Sequence, residues 1–374
     1  MTAVAVRRIQ GTSYRAWAIL GVIVLLAILS SVLNVPYIGS FVDWIINRVP
    51  PTFSLIVQYA TPIAFAAMCG VMCERSGVVN IGIEGMMLTS AFVAFLFGAY
   101  LGPVVGTPWA ALLGVGFGVL ASMLLSLLHA WLSITVKADQ IISGTVIIIL
   151  AAGGTAFFNQ LLVSTSGISG TTVLPQLQVS REVTTIPIIG PIVLGLFRQG
   201  PIAMSLILFV VGLHVMLFRS RWGLRTRAVG EHPKAADTVG IDVYFVRYRN
   251  VVLGGAFAGL GGAFLTTELS NSFQDGMTGG VGFIGLAAMI FGRWTPIGAF
   301  GAALLFGAVQ SAQLTVRIPS SSPPGELGQL VAALPPEFFG ILPYVVTIVV
   351  LTGVVGRAVP PAADGIPYDK ESRA

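Results

Sequence analysis

Residues 219–250 read RSRWGLRTRAVGEHPKAADTVGIDVYFVRYRN. They hold seven Arg or Lys and three Asp or Glu, in a chain of which only 9% is charged. Apolar runs of membrane-spanning length flank the stretch, from about 201 to 218 and from about 250 to 268. So dense a polar segment has to leave the hydrocarbon, because an Arg or Lys at the centre of a spanning helix costs about 3 kcal/mol. The expected fold is a bundle of spanning helices carrying one large polar structure at its surface.

Composition agrees. The chain is 55% hydrophobic, with mean hydropathy +0.89 and 45 glycines, and its charged fraction is far below the roughly 25% of soluble domains. Several apolar runs exceed the ~18 residues that mark a spanning helix. A net charge of +5 and a pI near 9.5 raise the question of nucleic acid. The basic residues, however, stand at the ends of apolar runs instead of forming one patch, a pattern that fixes orientation in a membrane. The expected contact is lipid, and no nucleic acid. Cys69 and Cys73 lie four apart, too few for a zinc site and not in Cys-x-x-Cys spacing, and read as small packing residues. His129, His214 and His232 are scattered, so no metal is expected.

Taken in order, residues 1–15 form a basic cytoplasmic tail, and 17–33 a first helix, too long for a cleaved signal peptide. Residues 36–52, with Pro36, Pro50 and Pro51, read as an external connection. Further helices are expected at about 53–73, 86–101, 109–136, 140–162, 201–218, 250–268, 281–292, 296–314 and 338–356. External segments fall at 164–200 and 315–337, and 357–374 is a second cytoplasmic tail. The membrane-spanning domain is thus expected at 16–356, with 219–249 as its cytoplasmic segment. Ten helices place both termini on one side. Sixteen Arg plus Lys then lie in cytoplasmic segments and four outside, the asymmetry expected for cytoplasmic termini.

AFAAMCGVM (64–72) is similar to AFAGLGGAF (256–264), one running inward and the other outward. Two inverted five-helix halves are expected, an arrangement that places solute sites at the repeat interface. In SGVVNIGIEG (76–85), Gly77, Gly82 and Gly85 permit a broken or re-entrant backbone, tolerated at membrane depth only where protein or a water-filled cavity covers it. Asn80 and Glu84 then either line a pathway, or Glu84 caps the start of its own helix. Gln58, Asn159, Gln160, Gln310 and Gln313 either meet a solute or bond between helices. The spacings Gly114–Gly118 and Gly255–Gly259 permit close helix packing. In the opening stretch, Pro233 suits the first turn of a short helix that Gly240 would end. Such an amphipathic helix either docks another protein or lies on lipid headgroups.

GLRTRAVGEHPKAADTVGI, ERSGVVNIGIEGMM and GFIGLAAMIFGRWTPIGAFGAALLFG resemble motifs of bacterial ATP-binding-cassette importer permeases. The superfamily is that of branched-chain amino acids, ribose and nucleosides, with closest likeness to the nucleoside (simple-sugar-type) branch, over nearly the whole chain. The resemblance implies import across the bacterial inner membrane with an extracytoplasmic solute-binding protein, a second permease and a cytoplasmic ATPase. A G-x-x-x-x-G-K-[ST] motif is missing, so ATP is expected on partner subunits, with no cofactor in this chain. The resemblance makes Arg225, Arg227, Gly230, Glu231, Pro233, Ala235, Ala236 and Gly240 the residues expected to couple to the ATPase. Asn80 and Glu84, with Phe65, Phe92 and Phe283 as aromatic faces for a nucleoside, are expected to serve the pathway. The competing readings are import of a simple sugar or branched-chain amino acid by the same machinery, and an ion-coupled carrier using Glu84 or Glu268. A membrane enzyme lacks support, since no nucleophile motif occurs.

Overall fold

The computed structural model describes residues 36–164, 173–177, 193, 195–317, 341 and 358–370. The spans expected at 17–33 and 338–356 lie outside the described residues, as do the 1–15 tail, Gln313's side chain and most of 164–200 and 315–337. The chain divides into two compact units, Met1–Thr52 with Ala312–Ile341 and Phe53–Ser311 with Leu342–Ala374. The second holds every contact described below.

The described secondary structure is all helical. Helix α1 spans Pro36–Glu74, α2 Ile83–Val105, α3 Thr107–Ala130, α4 Gln140–Phe158 and α5 Pro201–Arg219. Two short helices, α6 (Arg221–Glu231) and α7 (Pro233–Thr238), precede α8 (Val243–Phe264), α9 (Val281–Phe291) and α10 (Pro296–Arg317). Widened π turns extend α3, α4 and α8 through Trp131–Thr135, Asn159–Ser164 and Leu265–Leu269. Among the described residues, six stretches are long and apolar enough to cross a membrane, from Phe53–Glu74 to Val243–Leu269.

Two boundaries differ from expectation. Helix α1 begins at Pro36, where a missing N–H costs nothing, and passes through Pro50 and Pro51 at the loss of their ladder bonds. The stretch 36–52 is therefore helical, not a connection. Helix α8 begins at Val243, not near 250, because the Asp242 carboxylate accepts the Phe245 N–H at 2.9 Å, a standard N-terminal cap. Arg247 and Arg249 thus belong to a helix, not to the preceding loop.

The core is a three-helix seam of α2, α3 and α8, closed by small residues. A Cβ on Gly114 would lie 2.6 Å from the Ala94 carbonyl, and one on Gly262 only 2.1 Å from that of Met87. Serine hydroxyls then donate across the seam: Ser126 to the Val251 carbonyl at 2.6 Å, Ser122 to Gly255 at 2.7 Å and Ser90 to Gly259 at 2.6 Å. Small residues bring the backbones together and hydroxyls join them, which replaces the hydrophobic drive that lipid does not supply. The Gly114–Gly118 and Gly255–Gly259 spacings are therefore packing sites. The spans Phe53–Glu74 and Val243–Leu269 are 78% and 72% buried, against 28–39% for the other four. They form the bundle's interior, while leucines such as Leu120, Leu124 and Leu208 point outward.

Candidate functional site

The charged segment folds as a helical pair. Ser220 accepts the Gly223 N–H at 3.1 Å and starts α6. Gly223, Thr226 and Gly230 line its buried side at helical spacing. A Cβ on Gly223 would meet the Leu217 carbonyl at 2.1 Å, and one on Gly230 the Arg75 carbonyl at 2.3 Å. Pro233 occupies the first turn of α7, and Gly240 ends it in the left-handed region at φ +81°, as the sequence suggests. Val229, Ala236, Val243 and Val246 form one apolar cluster that binds α6, α7 and the start of α8 together. The expected coupling residues therefore divide by orientation. Gly230 and Ala236 face inward, Arg227 and Pro233 are half-buried, and Arg225, Glu231, Ala235 and Gly240 are exposed. Arg227 stacks over the Phe218 ring at 5.2 Å.

The glycine-rich stretch is broken as expected. Helix α1 ends at Glu74, Gly77 turns at φ +84°, residues 78–80 lack regular structure and α2 starts at Ile83. Gly85 does not take part in the break. It lies inside α2, where a Cβ would meet the Ile147 carbonyl at 2.8 Å, so it admits α4. Asn80 is fully buried, with its amide nitrogen 3.6 Å from the Cys73 and Met86 sulfurs. Val79 is held from both sides: its N–H donates to Gln140 at 2.7 Å, and His129 Nε2 lies 3.0 Å from its carbonyl.

Glu84 does something neither sequence reading proposes. It caps the start of α9, not of its own helix: Oε1 accepts the Gly280 N–H at 2.8 Å and Oε2 the Gly282 N–H at 2.6 Å. Each oxygen thus accepts a backbone N–H at a helix N-terminus, where the macrodipole favours an acceptor of this kind. At 1.5 Å per residue the eleven residues of α9 reach about 16 Å, half of a ~30 Å hydrocarbon layer. Its far end is pinned to α1, where Arg75 Nε donates to the Trp294 carbonyl at 2.8 Å and Glu74 accepts the Trp294 indole N–H. Glu84 therefore caps a helix about half the length of a span.

Glu268 is engaged in the same way. Its carboxylate accepts the Ile202 N–H at 2.7 Å and the Ala203 N–H at 3.3 Å, capping α5. The three aromatics do not converge. Phe65 is core, edge-on to Phe209 at 6.0 Å; Phe92 packs on Phe273 at 5.1 Å; Phe283 is 46% exposed. Phe92 also lines a cavity of about 290 Å³ with Thr89, Leu125 and Thr155. Asn159 donates to Asp275 at 3.0 Å, and Gln58 and Gln310 are half-buried. Sequence reasoning missed Glu74, Arg75 and Arg247. Their charge signalled loops, whereas their partners are carbonyls and an indole distant in sequence.

Residues 52–351 match the family described as branched-chain amino acid transport system / permease component. The chain is 41% identical over 321 residues to the guanosine ABC transporter permease protein NupQ of Bacillus subtilis, covering 84% of this chain and 95% of that one. It is 37% identical over 330 residues to the nucleoside ABC transporter permease protein NupC of Lactococcus lactis, covering 87% and 99%. It is also 22% identical over 262 residues to NupB of the same organism, likewise a nucleoside ABC transporter permease protein, covering 68% and 70%. A multi-pass helical bundle with this span of similarity is a transport subunit, and the chain belongs to the branched-chain amino acid transport system / permease component family.

Proposed function

We propose that this chain is a membrane-spanning permease subunit of an ATP-driven importer that translocates nucleosides across the bacterial inner membrane. The observation that carries the proposal is 41% and 37% identity, over most of the chain, to guanosine and nucleoside permeases. Similarity to both NupC and NupB of one organism supports a second, distinct permease as partner. An extracytoplasmic binding protein would deliver solute, and ATP would be bound by a cytoplasmic ATPase. We place ten helices in two inverted halves with both termini cytoplasmic, a topology supported by sixteen inside and four outside basic residues. On that topology α6–α7 is the coupling segment, presenting Arg225, Glu231 and Ala235 to the ATPase while Gly230, Pro233, Ala236 and Gly240 set its shape and Arg227 buttresses it.

The pathway is assigned to the junction of the broken 76–85 stretch with the start of α9. Asn80 and Glu84 supply polar groups there, and Phe65, Phe92 and Phe283 are the candidate aromatic faces. Phe92, which borders a cavity with an apolar lining, is the one of the three with room beside it for a base. The test is ATP hydrolysis by the reconstituted complex, titrated with nucleosides, ribose and leucine, and repeated with Glu231→Arg. Stimulation by nucleosides alone, weakened by the substitution, is the expected result. Stimulation by ribose or leucine instead would keep the machinery and sink the solute. Uptake driven by an ion gradient without any ATPase would overturn the proposal.

A further inference from the structure

Residues 358–370 lie across the helical pair and make contacts with α6, α7, the start of α8 and Lys137. The Ala363 N–H donates to the Gly230 carbonyl at 2.9 Å and the Ala362 N–H to Glu231 Oε2 at 3.2 Å. Further along, Lys370 pairs with Asp237 at 3.6 Å, the Tyr368 ring packs on Tyr244 at 5.4 Å and Asp369 meets Lys137 at 3.1 Å. Arg247 is the centre of this assembly. It is 1% exposed, and its guanidinium donates to the Ser76 carbonyl at 3.1 Å and the Ile366 carbonyl at 2.9 Å. A Cβ on Gly77 would lie 2.8 Å from Arg247 and 2.9 Å from the Ala363 carbonyl, so turn, α8 and segment are in van der Waals contact.

The positions of these contacts matter. The helical pair has two natural hinges: His232, extended at φ −140° between α6 and α7, and Gly240 in the left-handed region before α8. A force on an unsupported pair would be spent bending at those points. Segment 358–370 bonds residues on both sides of each. Gly230 and Glu231 lie before the first hinge, Asp237 lies between the two, and Tyr244 and Arg247 lie after the second. The same segment reaches the end of α1 through Arg247 and Ser76. Helices α1 and α8 carry the two most buried spans, so the pair is fastened to the interior of the bundle.

We infer that residues 358–370 are a strap that makes α6–α7, the Glu74–Gly77 turn and the base of α8 one rigid body, with Arg247 and Ala363 as positioning residues for coupling. The inference rests on α6–α7 being the coupling segment. It assigns the C-terminal segment a role in transmitting the ATPase stroke toward Asn80 and Glu84, and none in holding solute or nucleotide.

The test uses the full complex in proteoliposomes. Ending the chain after Arg357 should leave the ATPase bound and basal ATP hydrolysis within about twofold, while nucleoside uptake falls roughly tenfold, a typical coupling loss. A role in stability alone would lower hydrolysis and uptake together. The second arm joins Lys137→Cys to Asp369→Cys with a short reducible thiol reagent, in a Cys69→Ala/Cys73→Ala background. A fixed strap predicts unchanged uptake after cross-linking, and this arm decides the matter if the truncated chain does not insert. Full uptake by the truncated chain overturns the inference, as does uptake lost on cross-linking and restored by reductant. If the ATPase fails to bind even the full-length chain, the coupling reading itself fails and the strap role with it.

Discussion

Glu84 and Glu268 make the same bonds for different ends. Each buries a carboxylate in the bundle and spreads its two oxygens over neighbouring amides at the start of another helix. Each is enclosed by a glycine that tolerates no side chain: a Cβ on Gly282 would lie 2.7 Å from the Glu84 carboxylate, and one on Gly200 2.2 Å from that of Glu268. The difference is reach. Glu268 ties the end of α8 to α5 across 65 and 66 residues, whereas Glu84 ties α2 to α9 across 196 and 198. The Glu84 bonds join a helix of the first half of the chain to one of the second, whereas the Glu268 bonds stay within the second half. A buried carboxylate therefore identifies a functional site only once its partner is known.

The largest expected effect is on stability. Glu268→Ala leaves the Ile202 and Ala203 amides unpaired at a buried helix start, which should cost about 3 kcal/mol and lower the thermal midpoint in detergent. An unchanged midpoint would break the comparison at its structural end. Next, Glu84→Gln keeps one acceptor oxygen for two amides. Nucleoside uptake should fall roughly tenfold, with a smaller loss of midpoint than for Glu268→Ala; equal losses of midpoint would make the two carboxylates alike. Gly282→Ala should displace the Glu84 carboxylate sterically and reproduce the Glu84→Gln uptake defect. The double variant should be no worse than either single one, since both act on one interaction; additive losses would separate them.

The smallest effect concerns a third carboxylate, Asp364, which faces Glu74 and the Arg247 guanidinium instead of a row of amides. Burial pushes it up to about 6 from an ordinary 3.8, against the lowering by Glu74, the Gly365 N–H and Arg247. A raised value means the folded form favours the bound proton. The stabilisation is therefore complete below about pH 4 and is lost as pH rises through 6. Hydrogen exchange at the Ala362 and Ala363 amides, corrected for its intrinsic pH dependence, should show weaker protection at pH 7.5 than at 4.5. Asp364→Asn should reduce that dependence; protection that rises with pH would reverse the assignment.

Much of the bundle was legible in the sequence because lipid imposes long apolar runs, and the described spans fall near their expected places. The short helix from Pro233 to Gly240 was legible for a local reason, since one residue presets φ and the other permits its reversal. Helix α6 was not, because Gly223 and Gly230 lower helix propensity; each is required by a carbonyl within 2.3 Å of its missing Cβ, and neither carbonyl is visible in a local window. The break at 76–82 could be read from its glycines, but the use of Glu84 could not. A carboxylate in a first turn suggests capping of its own helix, and nothing nearby points to amides almost two hundred residues away. Arg247 failed for the opposite reason: a charge near a helix start reads as solvated, while this one is enclosed by carbonyls.

The serine–carbonyl seam along α8 limits how this protein can move. Hydroxyls from α2 and α3 grip its backbone at Val251, Gly255 and Gly259, one helical turn apart, with no cushion of side chains between. Turning α8 by a single residue, about 100°, would drive Val252 and Leu260 into a gap made for hydrogen atoms. The helix can tilt with its two neighbours but cannot spin within them, so in mechanical terms the three act as a single beam. Any alternation of access has to open along a different seam.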